Sequence, residues 1–164
     1  MKHCPPQFRR GLSLIEMLIV MSDIVILAAI VLPHATSLRR DAQDSKIQSN
    51  LRTLRAVVAQ YDAERGEFPE SIERQIFLWD DIPIHPWDPT HPDQIQLDRS
   101  NRSWRIHPRF KALGGVDGQA GPYWYNSLNG SVNSRILETG FNDEMVDTYN
   151  EINGTVIRSL EQEG

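Results

Sequence analysis

The sequence predicts an α+β fold in which one long N-terminal helix, apolar in its first half and amphipathic in its second, packs against a small antiparallel β-sheet head. Three observations support it: an apolar run from Leu12 to Leu32, an amphipathic stripe after that run, and a β-hairpin signature near residue 130. Seventeen of the 21 residues in the run are apolar, the exceptions being Ser13, Glu16, Ser22 and Asp23. As a helix the run measures about 32 Å, close to the hydrocarbon thickness of a bilayer.

Basic residues precede this run and predict the orientation of a membrane-spanning helix. Lys2, Arg9 and Arg10 lie on its N-terminal side, which places that end in the cytoplasm and the rest of the chain outside. A cleaved secretory signal peptide and an uncleaved signal anchor are the alternatives. The length of the run and the lack of an A-x-A cleavage site after it argue against the signal peptide.

The segment 33–65 has the pattern of an amphipathic helix. Gly66 and Pro69 predict its end near Arg65, and Pro33 predicts a kink at its beginning, because proline removes a backbone donor and clashes with the preceding turn. Apolar residues recur at spacings of three and four, which indicates one buried face. They are Ile47, Leu51, Leu54, Val58 and Tyr61.

The remaining segment, 66–164, predicts a globular head of modest size. We predict a short helix over residues 71–78, an irregular proline-rich loop over 80–98 and a strand over 103–107. The clearest β signal is Asn129-Gly130 between two β-prone runs, 123–126 and 131–137, because both turn residues tolerate positive φ. A last helix would be capped by Asn142 and ended by Gly154, with loose residues after it.

Two groups of residues have the chemistry of metal ligands. The spacing of the first group matches no metal-binding motif with a mechanical justification, and a solvated loop is the preferred interpretation. This group comprises His85, Asp88, His91 and Asp93. The second would suit calcium, but helix-capping charge explains it better. It comprises Asp117, Asp143, Glu144 and Asp147.

No catalytic motif accompanies these groups, and the four tryptophans are better explained by core packing than by a binding groove. We therefore predict a protein that is not an enzyme and that has no metal and no cofactor. The one cysteine, Cys4, excludes a disulfide framework. With residues 1–11 removed, the chain would have 14 basic and 22 acidic residues, a charge of −8 that argues against nucleic acid as a partner.

The N-terminus resembles the processing signal of type IV pilins and type II secretion pseudopilins. Gly11 is followed by Leu-Ser-Leu-Ile-Glu, a long apolar helix and Pro33. In that family a prepilin peptidase cuts after the glycine and methylates the new N-terminus, which would be Leu12 here. The glutamate would then be the fifth residue of the mature chain and the proline the twenty-second. Leu12 departs from the usual phenylalanine, and Asp23 stands where the family has an apolar residue.

Further along, the chain resembles G-type, or major, pseudopilins in the run from Tyr61 to Pro69 and in the hairpin around Asn129-Gly130. The resemblance implies four segments: a leader (1–11), a transmembrane and filament-core helix (12–32), an amphipathic helix (33–65) and a periplasmic head (66–164). It implies a structural subunit of a secretion pseudopilus, first in the inner membrane with its N-terminus cytoplasmic and later in a filament that spans the periplasm.

The implied partners are other pilin-like subunits, the prepilin peptidase, the secretion assembly platform and, before assembly, membrane lipid. Glu16 is expected to act in assembly. Three interpretations of Asp23 stay open: a residue that water reaches and the filament tolerates, a carboxyl that is protonated in lipid, and, as the preferred one, a contact with a polar group on a neighbouring subunit. A minor type IV pilin or a DNA-uptake pilin is the alternative within the family. A signal-anchored periplasmic enzyme or binding domain is the alternative of another class.

Overall fold

The computed structural model of the chain describes residues 13–77, 81–113 and 121–164, without the side chains of residues 33 and 34. The described part contains the helices α1 (Leu14–Arg65) and α2 (Asn142–Asn153), a 3-10 helix (Arg74–Ile76), and the strands β1 (Ile95–Leu97), β2 (Tyr123–Asn126) and β3 (Ser131–Ser134). The chain divides into two compact units, residues 1–40 and 41–164, and α1 contributes to both. The α+β layout with a long N-terminal helix is confirmed.

In the second unit, the predicted stripe of α1 forms one side of the hydrophobic core. Ile47, Leu51, Leu54 and Val58 are buried, and Tyr61 is half-buried. They pack with residues of the strands, of α2 and of the C-terminal segment: Tyr123, Tyr125, Val132, Ile136, Met145, Tyr149, Ile152 and Ile157. The three- and four-residue spacing of the stripe therefore reflects burial against a sheet and a second helix.

The sheet has the strand order β1-β2-β3 and is mixed rather than wholly antiparallel. The hairpin of β2 and β3 is confirmed, with Tyr125 opposite Val132 and Gly130 in the turn at φ +71°. A side chain at Gly130 would also collide with the Phe68 ring. β1 pairs with β2 in parallel, so the prediction of a structureless loop over 80–98 was wrong for residues 95–97.

Other local predictions were also wrong. The predicted helix over 71–78 is only the 3-10 turn Arg74–Ile76 among its described residues. Residues 103–107 form no strand, and Trp104 is 58% exposed, whereas Trp87 and Trp124 are buried in agreement with core packing. Trp79 lies outside the described residues.

The C-terminal region confirms one prediction and contradicts two. Gly154 ends α2 in the left-handed conformation. The N-cap residue, however, is Phe141 rather than Asn142, and no side chain caps the helix start. The last residues are not loose: Ile157 is buried, and the carboxylate of Glu163 lies 2.5 Å from the guanidinium of Arg105.

Candidate functional site: the exposed apolar segment and its two carboxylates

The first unit contains a long apolar helical segment, which is exposed throughout residues 14–32 of α1. Leu14, at its beginning, is 83% exposed, and the apolar side chains up to Leu32 are about half exposed or more. By length and composition α1 can span a membrane, a test that a signal sequence also passes. An apolar surface of this extent needs a cover, whether lipid or protein.

Glu16 and Asp23 interrupt this apolar surface on one face of the helix. Seven residues separate them, so two helical turns place them within about 20° of each other around the axis. Ser13 falls about 60° from Glu16 on the same side. Ser13, Glu16 and Asp23 thus form a narrow polar stripe, and Ser22 is the one other polar residue of the apolar segment.

Neither carboxylate makes an ion pair with any residue that the structure describes. Arg39, one of the first basic residues after the apolar segment, lies 16 positions beyond Asp23, a rise of about 24 Å along a helix. Ser22, by contrast, satisfies its own hydroxyl by donating to the carbonyl oxygen of Ile19 at 2.8 Å. The two carboxylates are therefore the groups of this segment that call for an external partner.

Three further residues named from the sequence are not characterised by the structure. The processing residues Gly11 and Leu12 lie outside the described residues. Position 33 falls within the bounds of α1, and the kink at Pro33 stays a prediction.

The first candidate metal group in the head does not converge on one point. Asp88 accepts hydrogen bonds from the backbone N–H groups of Thr90 and His91, both at 3.0 Å. Asp93 instead pairs with Arg74 at 2.9 Å. Within residues 13–77, 81–113 and 121–164, no cluster of three or more metal-ligand side chains forms.

The second candidate group is largely helical, as predicted. Asp143 and Glu144 lie in the first turn of α2, where negative charge favours the helix N-terminus, and Asp147 follows in the same helix. Asp117 lies outside the described residues.

His85 makes a contact that sequence reasoning missed, with the hydroxyl of Ser134 at 2.9 Å from its Nε2. Its Nδ1 accepts the backbone N–H of Trp87 at 3.3 Å, so in the neutral ring the proton resides on Nε2 and is donated to Ser134. The serine in turn donates to the carbonyl oxygen of Arg135. A general base would need a free lone pair on Nε2, and both side chains are buried. This serine–histidine pair is therefore a structural hydrogen bond.

The head also buries cations that no sequence pattern had revealed. Burial lowers the pKa of Lys111 to about 8, and its ammonium donates to three backbone carbonyl oxygens, those of Pro108, Leu160 and Gln162. Arg135, whose pKa burial lowers to about 10, donates to the carbonyl oxygens of Phe110 and Gly121 and to the side chain of Gln96. These cations cross-link loops and are not free to bind an anion.

Comparison of the chain with protein-family models, with characterised proteins and with solved structures gives no significant match.

Proposed function

We propose that this protein is a structural subunit of a pilin-like filament, most similar to the pseudopilus subunit of type II secretion. The observation that carries the proposal is the exposed apolar segment of α1, which holds a carboxylate five residues after Gly11 and continues into a separately packed α+β head. Lipid would cover this segment before assembly, and the same segment of neighbouring subunits would cover it in the filament.

The polar stripe supports assembly through a neighbour rather than simple membrane anchoring. A carboxylate near the centre of a membrane-spanning helix, where Asp23 lies, costs about 2.5–3.5 kcal/mol on membrane-insertion scales, and Glu16 lies nearer the end of the apolar segment. A plain membrane anchor needs neither carboxylate. In the proposed processing, cleavage after Gly11 creates a free amine at Leu12, which would be the nearest cation for Glu16. Pairing of Glu16 with the Leu12 amine of an adjacent subunit would fix the axial shift between the two subunits, which is one step of the screw axis of the filament.

In this proposal the chain begins in the inner membrane with its N-terminus cytoplasmic and its head in the periplasm. The prepilin peptidase and the assembly platform are its processing and assembly partners, and the filament pushes a secreted protein toward an outer-membrane pore. The head contributes surface rather than chemistry, consistent with the structural role of the His85–Ser134 pair.

Intact-mass analysis of the protein from the membrane fraction tests this proposal. We expect a chain that begins at Leu12 and carries one added methyl group. Gly11→Leu should leave the uncleaved chain in the membrane, and Ser49→Ala, on the exposed face of α1, is the control substitution that should not change processing. An intact Met1 or an N-terminus beyond Leu32 would contradict the proposal.

A further inference from the structure

The head presents an exposed basic and aromatic loop in a chain whose net charge is −5. This arginine–tryptophan loop, residues 99–110, exposes the side chains of Arg99, Arg102, Trp104, Arg109 and Phe110. The guanidinium of Arg102 lies 5.7 Å from the centre of the Trp104 ring, and that of Arg109 lies 5.4 Å from the Phe110 ring. Exposed tryptophan and arginine side chains are the types most enriched at the energetic centres of protein interfaces.

Two carboxylates beside this loop are engaged by a buried arginine. Arg105 pairs with Asp98 at 3.4 Å and with Glu163 at 2.5 Å, and all three side chains are largely buried. Arg102 reaches Glu163 only at 4.0 Å and stays half exposed. The exposed arginines therefore leave positive charge at the surface that the loop itself does not neutralise.

A second surface of the head has the opposite charge. It is a cleft of about 600 Å³ between the end of α1 and the 3-10 helix, and we call it the glutamate-rimmed cleft. Phe68, Pro69 and Ile76 are among its lining residues, but its exposed surface is mainly polar and Pro69 is fully buried. The guanidinium of Arg65 also lines it, 4.6 Å from the centre of the Tyr61 ring. Four glutamates surround it: Glu64, Glu67, Glu70 and Glu73.

Two of these glutamates have no hydrogen-bond partner in the described part of the chain. Glu64 accepts a bond from Gln60, and Glu73 accepts one from Ser71. Glu67 and Glu70 are exposed and accept none. The cleft thus offers two uncommitted carboxylates on a mainly polar surface, which complements exposed guanidinium groups.

The loop does not fill the cleft of its own copy. The β2–β3 turn adjoins both surfaces: Asn129 donates to the carbonyl oxygen of Ser103 at 2.8 Å, while Gly130 abuts the Phe68 ring. Trp104 is 58% exposed, and no residue of the loop lines the cleft. Within one copy the two surfaces do not touch, which leaves both open to a second copy.

We propose that the arginine–tryptophan loop of one copy docks in the glutamate-rimmed cleft of a second copy of this chain. The occupant follows from charge complementarity, because each neighbouring copy offers the exposed arginines of this loop a cleft with two uncommitted carboxylates. One loop in one cleft buries less surface than a stable soluble dimer needs, so the contact forms where α1 concentrates copies in a membrane or filament. In that respect it rests on the proposed function.

Disulfide cross-linking between two tagged versions of the full-length chain tests the contact in membranes. Both versions contain Cys4→Ser; one contains Ser103→Cys in the loop, and the other Ser71→Cys beside the cleft. Mild oxidation should link the two tags. The matched control replaces Ser71→Cys with Ser159→Cys, an exposed serine on the C-terminal segment, and should give little product. Equal cross-linking in both pairs, or none in the first, would overturn the proposal.

Charge reversal then tests the chemistry of the contact. Arg102→Glu in the loop version should reduce the cross-link about fivefold or more, and Glu67→Arg with Glu70→Arg in the cleft version should restore it. Arg158→Glu, at another exposed arginine, should leave the yield unchanged. Retention of the chain on immobilised single-stranded DNA is measured in parallel. If Arg102→Glu abolishes this retention while the cross-link yield stays unchanged, the loop binds nucleic acid and the proposal is wrong.

The mass of the same membrane sample separates this result from the proposed function. A cross-link in chains that are not cleaved after Gly11 supports the contact and contradicts the pilin-like assignment. Cleaved and methylated chains without the cross-link support the assignment and contradict the contact.

Discussion

Asn50, on α1, donates its side-chain amide to the phenolic oxygen of Tyr123, on β2, at 2.9 Å, and the second N–H of the same amide reaches the carbonyl oxygen of Ile84 at 2.8 Å. Asn50 and Tyr123 are both buried, so water cannot reach them easily. Their mutual hydrogen bond therefore satisfies polar groups that would otherwise be unpaired. Burial raises the pKa of Tyr123 to about 12, which keeps its hydroxyl protonated. A single amide thus connects the helix, the sheet and the proline-rich loop.

Asn50→Ala should destabilise the head by about 1–3 kcal/mol, because it leaves the buried hydroxyl of Tyr123 and the part-buried carbonyl oxygen of Ile84 without this donor. Tyr123→Phe removes one of these bonds together with its acceptor, and should cost less. Chemical unfolding of the detergent-solubilised chain, followed by near-ultraviolet circular dichroism, measures both. Ser49→Ala, on the exposed face of the same helix, is the control. A similar loss in the Asn50 and Ser49 variants would refute this account.

Two buried histidines predict how stability depends on pH. Burial lowers the pKa of His85 to about 4, an effect that the Asp88 carboxylate only partly offsets. Burial also lowers the pKa of His107 to about 4, with Lys111 and Arg55 adding to the decrease. Because both values lie below the unfolded value of about 6.5, the unfolded chain takes up protons first as pH falls. The stability from the neutral rings is fully present above about pH 6.5 and is lost toward pH 4.

Unfolding free energies measured between pH 6 and pH 5 test this relation. Each histidine should contribute a slope of up to about 1.4 kcal/mol per pH unit. His85→Gln and His107→Gln should each flatten the slope by about that amount, whereas His91→Gln, at an exposed loop position, should not change it. A slope that is the same in all three variants would show that other groups govern acid unfolding.

The sequence predicted the elements whose signals are local. The stripe from Ile47 to Val58 and the Asn129-Gly130 turn each depend on residues a few positions apart, and both are confirmed. The segment 103–107 alternates like a strand, but its backbone carbonyls accept from the side chains of Asn126 and Asn129 instead of a neighbouring strand. Such contacts have no periodic pattern and could not be predicted.

The same reason explains the errors at β1 and at the C-terminus. Residue 95 pairs with Tyr123, 28 positions away, behind a run of prolines that indicates a loop. The C-terminal segment is held by the Lys111 ammonium, 2.7 Å from the carbonyl oxygens of Leu160 and Gln162. In the candidate site, by contrast, composition and spacing were sufficient to place Glu16 and Asp23 on one exposed helical face.

Glu16→Ala tests the assembly role proposed for the first carboxylate. Removing a charge that is costly in lipid should leave membrane insertion intact or improve it, while sedimentable fibres decrease about tenfold or more. Glu151→Ala, at an exposed glutamate of α2, is the matched control and should assemble normally. Immunoblots of membrane and fibre fractions give both quantities. Normal fibres from the Glu16 variant would refute the assembly role.

Asp23→Ile tests whether the second carboxylate has a designated partner. Asp23 lies deeper in the apolar segment than Glu16, and no described residue pairs with it. Because an ionised aspartate there costs about 2.5–3.5 kcal/mol, the isoleucine variant should be more stable as an isolated subunit in membranes. If a polar group of another subunit normally meets Asp23, the same variant should lose co-purification with pilin-like partners.

Two further variants show what kind of contact is lost. Asp23→Asn keeps the shape and the hydrogen-bonding capacity without the charge, so it should retain partners that accept or donate a hydrogen bond and lose those that need an anion. Ser22→Ala, at the neighbouring position whose hydroxyl is satisfied within the helix, should behave like the parent chain. Pull-downs at equal expression compare the four proteins. If Asp23→Ile recovers partners as well as the parent chain does, Asp23 is a residue that the proposed filament would tolerate rather than one that selects a neighbour.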